Sequence, residues 1–167
     1  MAALQCVRDN LLELGLEMSA TFSMQDFELN IRAAVRTVFP MIGLKGCHFH
    51  FGQRLWSRVV DNGFKSDYNK KEFSDFASFI RACIGLSFVP LDRLENEAMT
   101  ILRKMAKQLQ KRHQKFANDF LDYIQKVWIN GNYKPSTWNF YQHKGVTTNN
   151  YAEGTLVFEK VILPRFL

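Results

Sequence analysis

At 167 residues the chain fits one ordinary domain and is short for two. An apolar fraction of 47% beside 23% charged residues excludes a disordered chain, and 15 phenylalanines supply aromatic surface for a core. The net charge of +6 suits an acidic partner such as nucleic acid, although the same excess also serves a soluble surface.

Cys6, Cys47 and Cys83 are odd in number and share no spacing, which argues against a secreted disulfide framework. The opening MAALQCVRDN has no charged segment followed by an apolar one, so no signal peptide is read. No apolar run approaches the roughly 20 residues that span a bilayer. The expectation is a protein of the nucleus or cytoplasm with no membrane partner.

In chain order, residues 2–15 read as a helix with Leu4, Val7, Leu11, Leu12 and Leu14 near helical spacing and Gly15 as the stop. Residues 18–24, with Ala20, Phe22 and Met24 on one parity, read as a short strand. Asp26 stands where that strand gives way to an amphipathic helix carrying Leu29, Ile31, Ala34, Val35 and Val38, closed by Pro40. Residues 42–49 form a second strand candidate interrupted by Gly43 and Gly46. From Gln53 a helix runs through Leu55, Trp56, Val59 and Val60 to Asn62-Gly63. A helix between two strands favours parallel pairing, so residues 1–63 read as an α/β segment.

Residues 64–132 change character, with three helical patterns and no strand signal. Phe73, Phe76, Ala77, Ile80, Ala82, Cys83 and Ile84 mark the first. Leu91, Leu94, Ala98, Ile101, Leu102 and Met105 mark the second, and Phe116, Phe120, Ile124 and Val127 the third, before Gly131. Residues 133–167 read as a loop around Pro135 and then a closing helix with Ala152-Glu153 in its first turns.

Several residues can carry chemistry. A carboxylate at the C-terminal end of a parallel strand stands where open α/β sheets place ligands, which singles out Asp26; capping the next helix fits the same position. Glu28, inside the first turn, reads as a dipole partner. Cys47 and His50 put a thiol and an imidazole three residues apart, but structural zinc sites take four such ligands in two clusters, and Cys83, His113 and His143 are scattered. Glu153 reads as an ordinary glutamate near a helix start. Arg103, Lys104, Lys107, Lys111, Arg112 and Lys115 form a basic run that can track a phosphate backbone or simply face water.

Four pieces in order carry a resemblance. Gln25-Asp26-Phe27-Glu28 follows a strand. Phe39-Pro40 precedes Gly46-Cys47-His48-Phe49-His50-Phe51 and Gln53-Arg54-Leu55-Trp56. Leu86-Ser87-Phe88-Val89-Pro90 lies among the helices. Trp138-Asn139 leads to Thr148-Asn149-Asn150-Tyr151-Ala152-Glu153-Gly154. As an ordered set, spanning roughly residues 1–154, they resemble the transposases of Mutator-like elements (MULE), whose catalytic domain has an RNase H-like fold.

The resemblance implies an α/β, partial RNase H-like fold with few parallel strands and a large all-helical insertion. It implies two aspartates and a glutamate that hold two divalent metals, Mg²⁺ or Mn²⁺, for DNA strand cleavage and transfer. Asp26 corresponds to the second aspartate, Glu153 to the glutamate, and Cys47 with His50 to the C-x-x-H motif between them. The first aspartate of the family lies on an earlier strand, and Asp9 stands in a helical pattern instead. The expectation is therefore a truncated transposase domain without activity of its own. A non-catalytic DNA-binding module of transposase descent, keeping the basic helical face, is the alternative.

Overall fold

In the computed structural model, which describes residues 1–148, Ala2–Glu13 forms the first helix, α1. Gly15 takes φ +64, and the amides of Gly15 and Leu16 donate to the carbonyls of Leu12 and Leu11 at 3.1 and 2.9 Å. This paired closure needs a left-handed residue, which glycine supplies without a Cβ penalty.

Two short strands follow, β1 (Phe22–Gln25) and β2 (Gly43–Gly46), joined by α2 (Leu29–Val38). They pair in parallel, from Phe22 beside Gly43 to Gln25 beside Gly46. A parallel pair needs a crossover, and α2 is that crossover, as the strand–helix–strand order implies. The strands are shorter than the pattern suggested. Residues 18–21 lie outside β1, and β2 stops at Gly46 because His48 already opens the next helix, α3 (His48–Asp61). His48 and Phe49, read as the end of the strand, instead open the first turn of that helix. Along α2 the buried residues are Arg32, Val35 and Val38, while Leu29 and Ile31 face water.

Gly46 has a packing reason. A Cβ there would fall on the ring of Phe27, which is itself buried. Gly46→Ala is expected to cost about 1–3 kcal/mol by overpacking, read as a lowered thermal midpoint. An unchanged midpoint would mean that the Phe27 ring has room to move.

The chain divides into two compact units, Met1–Phe49 together with the segment that starts at Val146, and His50–Gly145. The second unit is helical throughout its regular structure among the described residues. Phe51, Leu55 and Val59 of α3 are buried at every fourth position, and the helix ends at Asn62-Gly63 as the sequence suggests. After it come α4 (Lys65–Tyr68), a single 3₁₀ turn at Lys71–Phe73 and α5 (Ser74–Gly85). Then α6 (Leu91–Arg93) passes through a π-helical stretch, Leu94–Ala98, into α7 (Met99–Gln108). The next helix, α8 (Lys111–Tyr123), runs into a second π-helical stretch, Ile124–Ile129. Pro135 does not sit in a loop but at the first position of a short helix, α9 (Pro135–Trp138), where its fixed φ and missing N–H are harmless.

The resemblance-bearing pieces of this unit meet one another. The ring of Trp138 stacks on Phe51 at 4.7 Å with 8° between planes, and Trp128 meets Phe51 edge-on at 4.9 Å. The Trp138 indole donates to the carbonyls of Trp128 and Tyr133 at 2.9 and 3.0 Å. Next in the chain, Asn139 donates its amide to the carbonyl of Val89 at 2.7 Å and, more weakly, to that of Leu86 at 3.5 Å. The Phe140 N–H donates to the Ser87 carbonyl at 2.6 Å. Thus Trp138-Asn139 ties Phe51 on one side and the Leu86–Val89 turn on the other into one knot, with Phe88 exposed. No helix among the described residues is long and apolar enough to cross a membrane.

Candidate functional site

β1 delivers Asp26 to the C-terminal end of the parallel pair. Its Oδ1 accepts the Glu28 N–H at 2.9 Å, an Asx-type turn into α2. That turn holds Glu28 extended, at φ −83 and ψ 116, so Glu28 is the residue before the helix rather than a member of its first turn. Its carboxylate makes no cap bond, and it stands just ahead of the first turn in which the sequence reading put it. One oxygen of Asp26 closes a turn, and Oδ2 accepts no hydrogen bond among the described residues.

Cys47 stands at the neighbouring strand exit. Its side chain is buried, and its N–H donates to the Gln25 carbonyl at 2.6 Å as the last rung beside the pair. The His48 N–H donates to the Thr147 carbonyl at 2.9 Å. The chain therefore returns, just ahead of the segment holding Glu153, to the end of β2. Burial lowers the pKa of the His48 imidazole from its ordinary value, which favours its neutral form. His50 is a half-buried residue of the first turn of α3. Glu153 lies outside the described residues.

Mg²⁺ takes hard oxygen ligands, whereas a thiol and an imidazole suit softer ions. Among the described residues this edge offers the Asp26 carboxylate with Cys47 beside it, and no group of three His, Cys, Asp or Glu stands together. The described residues by themselves do not fit a Mg²⁺ or Mn²⁺ site.

The basic run divides between two helices because the chain turns at Leu109-Gln110. Arg103, Lys104 and Lys107 lie on α7, and Lys111, Arg112 and Lys115 on α8. Both arginines, although partly exposed, are paired within the protein. Arg103 donates to Asp122 and Gln125, each at 3.0 Å, and Arg112 pairs with Asp67 at 2.6 Å. Lys104, Lys107, Lys111 and Lys115 are exposed and carry no ion pair among the described residues. The cations of this run without an ion pair among the described residues are thus the lysines.

No family model, curated protein or solved structure matches this chain.

The sequence reading missed a buried ionic cluster. Asp67 of α4 and His113 of α8 are 2% and 1% exposed, and His113 Nε2 lies 2.8 Å from the Asp67 carboxylate. Arg112 and Lys70 complete it, Lys70 at 3.8 Å. The His113 ring stacks on Phe76 at 4.4 Å and meets Phe73 and Phe64 edge-on. Burial alone would raise the Asp67 pKa, but the His113 hydrogen bond and the charges of Arg112, His113 and Lys70 outweigh it and hold the carboxyl below its ordinary value. The available signal was His113 itself, which falls in the apolar stripe with Leu109, Phe116, Ala117 and Phe120. A histidine there needs a buried partner.

Proposed function

We propose that the chain is part of the RNase H-like catalytic domain of a Mutator-like DNA transposase and handles DNA through its helical unit. The observation that carries this reading is the return of Thr147 to the end of β2. It brings the segment leading to Glu153 back toward the strand exits of Asp26 and Cys47, after a helical excursion of the kind the family places before its glutamate. The β1–α2–β2 unit with Asp26 at its exit, and the joining of Phe51, Leu86–Val89 and Trp138-Asn139 in one knot, support the same reading. The family reaction is metal-dependent DNA strand cleavage and transfer, in the nucleus or cytoplasm wherever the element's DNA is.

A second reading, a DNA-binding module without catalysis, is favoured by the use of Asp26 in a turn and by the exposed lysines. Both readings predict salt-dependent binding to duplex DNA. Replacing Lys107 and Lys111 together by glutamine is expected to weaken it and to lower the salt slope by about 2, roughly one per lost phosphate contact. Arg103→Gln is expected to change binding little. Equal affinity and slope for the double variant and the wild type would sink the assignment of DNA contact to these lysines. Neither reading expects this chain alone to nick plasmid with Mg²⁺ or Mn²⁺. Nicking that Asp26→Ala abolishes would overturn the expected inactivity and the module together, whereas DNA binding that survives Asp26→Ala and Glu153→Ala supports the module.

A further inference from the structure

A cavity of about 190 Å³ opens between the first turns of α5 and the last turn of α7, lined by Asp75, Ser78, Met105, Gln108 and Leu109. Asp75 and Ser78 stand three residues apart on α5, and Met105 and Gln108 three apart on α7, so each helix turns one face to the opening. Met105 and the buried Leu109 give it an apolar wall. The other three side chains are exposed. Among the described residues the Asp75 carboxylate makes no ion pair, and the Ser78 hydroxyl and Gln108 amide make no hydrogen bond. A second cavity, of about 40 Å³ and large enough for a water, shares Asp75, Gln108 and Leu109 with the first and reaches Glu72 and His113. Glu72 likewise makes no ion pair among the described residues. The buried His113 ring faces Asp67 with Nε2, and its Nδ1 has no hydrogen-bond partner among the described residues. Two neighbouring carboxylates thus stand without a cation in a chain that carries 22 lysines and arginines against 16 acids.

We infer that this recess docks an arginine side chain of a partner protein. Every polar group around it can accept a hydrogen bond. The two ionised carboxylates accept only, and the Ser78 hydroxyl and Gln108 carbonyl add two more acceptors. With its Nε2–H given to Asp67, the neutral His113 ring keeps a lone pair at Nδ1. Such a set repels phosphate and suits a cation rich in donors. A guanidinium brings five N–H groups in a planar fork, against three on an ammonium, and meets a carboxylate through two parallel bonds. Its methylene stem packs on apolar surface while the charged head stays wet, which is the use of Met105 and Leu109. The size fits as well: benzene enters a cavity of about 150 Å³, and an arginine side chain has one heavy atom more. No lysine or arginine lines either cavity, so the α-carboxylate of free arginine finds no partner there, whereas a side chain brings its cation alone. The inference stands apart from the nucleic-acid reading, whose lysines lie outside both cavities.

The test is amide NMR of the full chain, titrated at constant ionic strength with an end-blocked glycine–arginine–glycine peptide. The same peptide with citrulline, the uncharged isostere, in place of arginine and free arginine are the other arms. The arginine peptide is expected to shift the Asp75, Ser78 and Gln108 amide signals saturably in the millimolar range. The citrulline peptide is expected to bind roughly tenfold more weakly, and free arginine no tighter than the arginine peptide. Asp75→Asn, at an exposed position where the fold is retained, should bring the arginine peptide down to the citrulline level; Gln108→Leu should weaken it by a smaller factor. Equal binding of the arginine and citrulline peptides, or an arginine affinity unchanged in Asp75→Asn, overturns the assignment. So does a response spread evenly over the exposed acids Glu95 and Glu97, which is charge screening alone. Free arginine binding tenfold tighter than the peptide overturns the partner-protein assignment in favour of a small molecule. Each of these results leaves the duplex-binding reading standing.

Discussion

Asp67→Ala is expected to destabilise the helical unit by about 3–5 kcal/mol, the range for removing one partner of a buried ion pair. The cost falls on His113. Arg112 and Lys70 have side chains about half exposed, at 54% and 50%, and can return to water, but His113 is 1% exposed and held among Phe64, Phe73 and Phe76. Without Asp67 its Nε2 proton loses its acceptor in an aromatic surround, and that unmet donor is the larger part of the loss. Asp67→Asn keeps an acceptor and is expected to cost less. The folded pKa of Asp67 lies below its unfolded value, so its contribution is fully present above the ordinary aspartate pKa of about 3.9. It is lost as pH falls from there through the folded value. Urea midpoints at neutral pH and near pH 3 check both statements: the wild type should lose more on acidification than Asp67→Ala. Parallel acid limbs for the two proteins would show that Asp67 is not the titrating contributor.

Trp138→Ala should have a comparable effect, about 3–5 kcal/mol for deleting a fully buried tryptophan. The side chain is 0% exposed, stacks on Phe51 and satisfies the carbonyls of Trp128 and Tyr133. Trp138→Phe separates the two contributions. It keeps a ring against Phe51 and removes the indole donor, so a loss of about 1–2 kcal/mol is expected. Thermal unfolding of the three proteins gives the order wild type, Trp138→Phe, Trp138→Ala from most to least stable. If Trp138→Ala unfolds with the wild type, the knot contributes nothing to stability, and its correspondence with the resemblance-bearing pieces loses its structural meaning.

The parts of the fold legible in the sequence were those set by local chemistry. Gly15 and Gly63 announced helix ends because a left-handed residue leaves few alternatives, and both take positive φ. The helix between two short apolar runs implied the parallel pair that β1 and β2 form. Boundaries that depend on competition were not legible. His48 to Phe51 is aromatic enough for a strand, and its helical state reflects burial of Phe51 against Trp138 and Trp128, residues far along the chain. The turn at Leu109-Gln110, which splits the basic run, contains neither glycine nor proline to mark it. The lysines could be found as a charge run, but the pairing of Arg103 and Arg112 with other side chains could not, because Asp122, Gln125 and Asp67 are not their sequence neighbours. Asp26 stands at a strand exit as read, but it does not cap α2: its Oδ1 accepts the N–H of Glu28, the residue before the helix, and its Oδ2 accepts no hydrogen bond among the described residues.

The Asn139 clamp has a consequence for how the protein is made. Its side chain and the carbonyls of Val89 and Leu86 are 50 and 53 residues apart in the chain. Closing so long a loop costs more entropy than any single helix contact, and contacts between distant residues slow folding. During synthesis α5, α7 and α8 are translated before Asn139, so the 3₁₀ turn at Leu86–Phe88 leaves the ribosome without its partner. Completion of the helical unit is thus timed by its last few residues, and a nascent chain halted before Trp138 should be cut by protease where the finished protein resists.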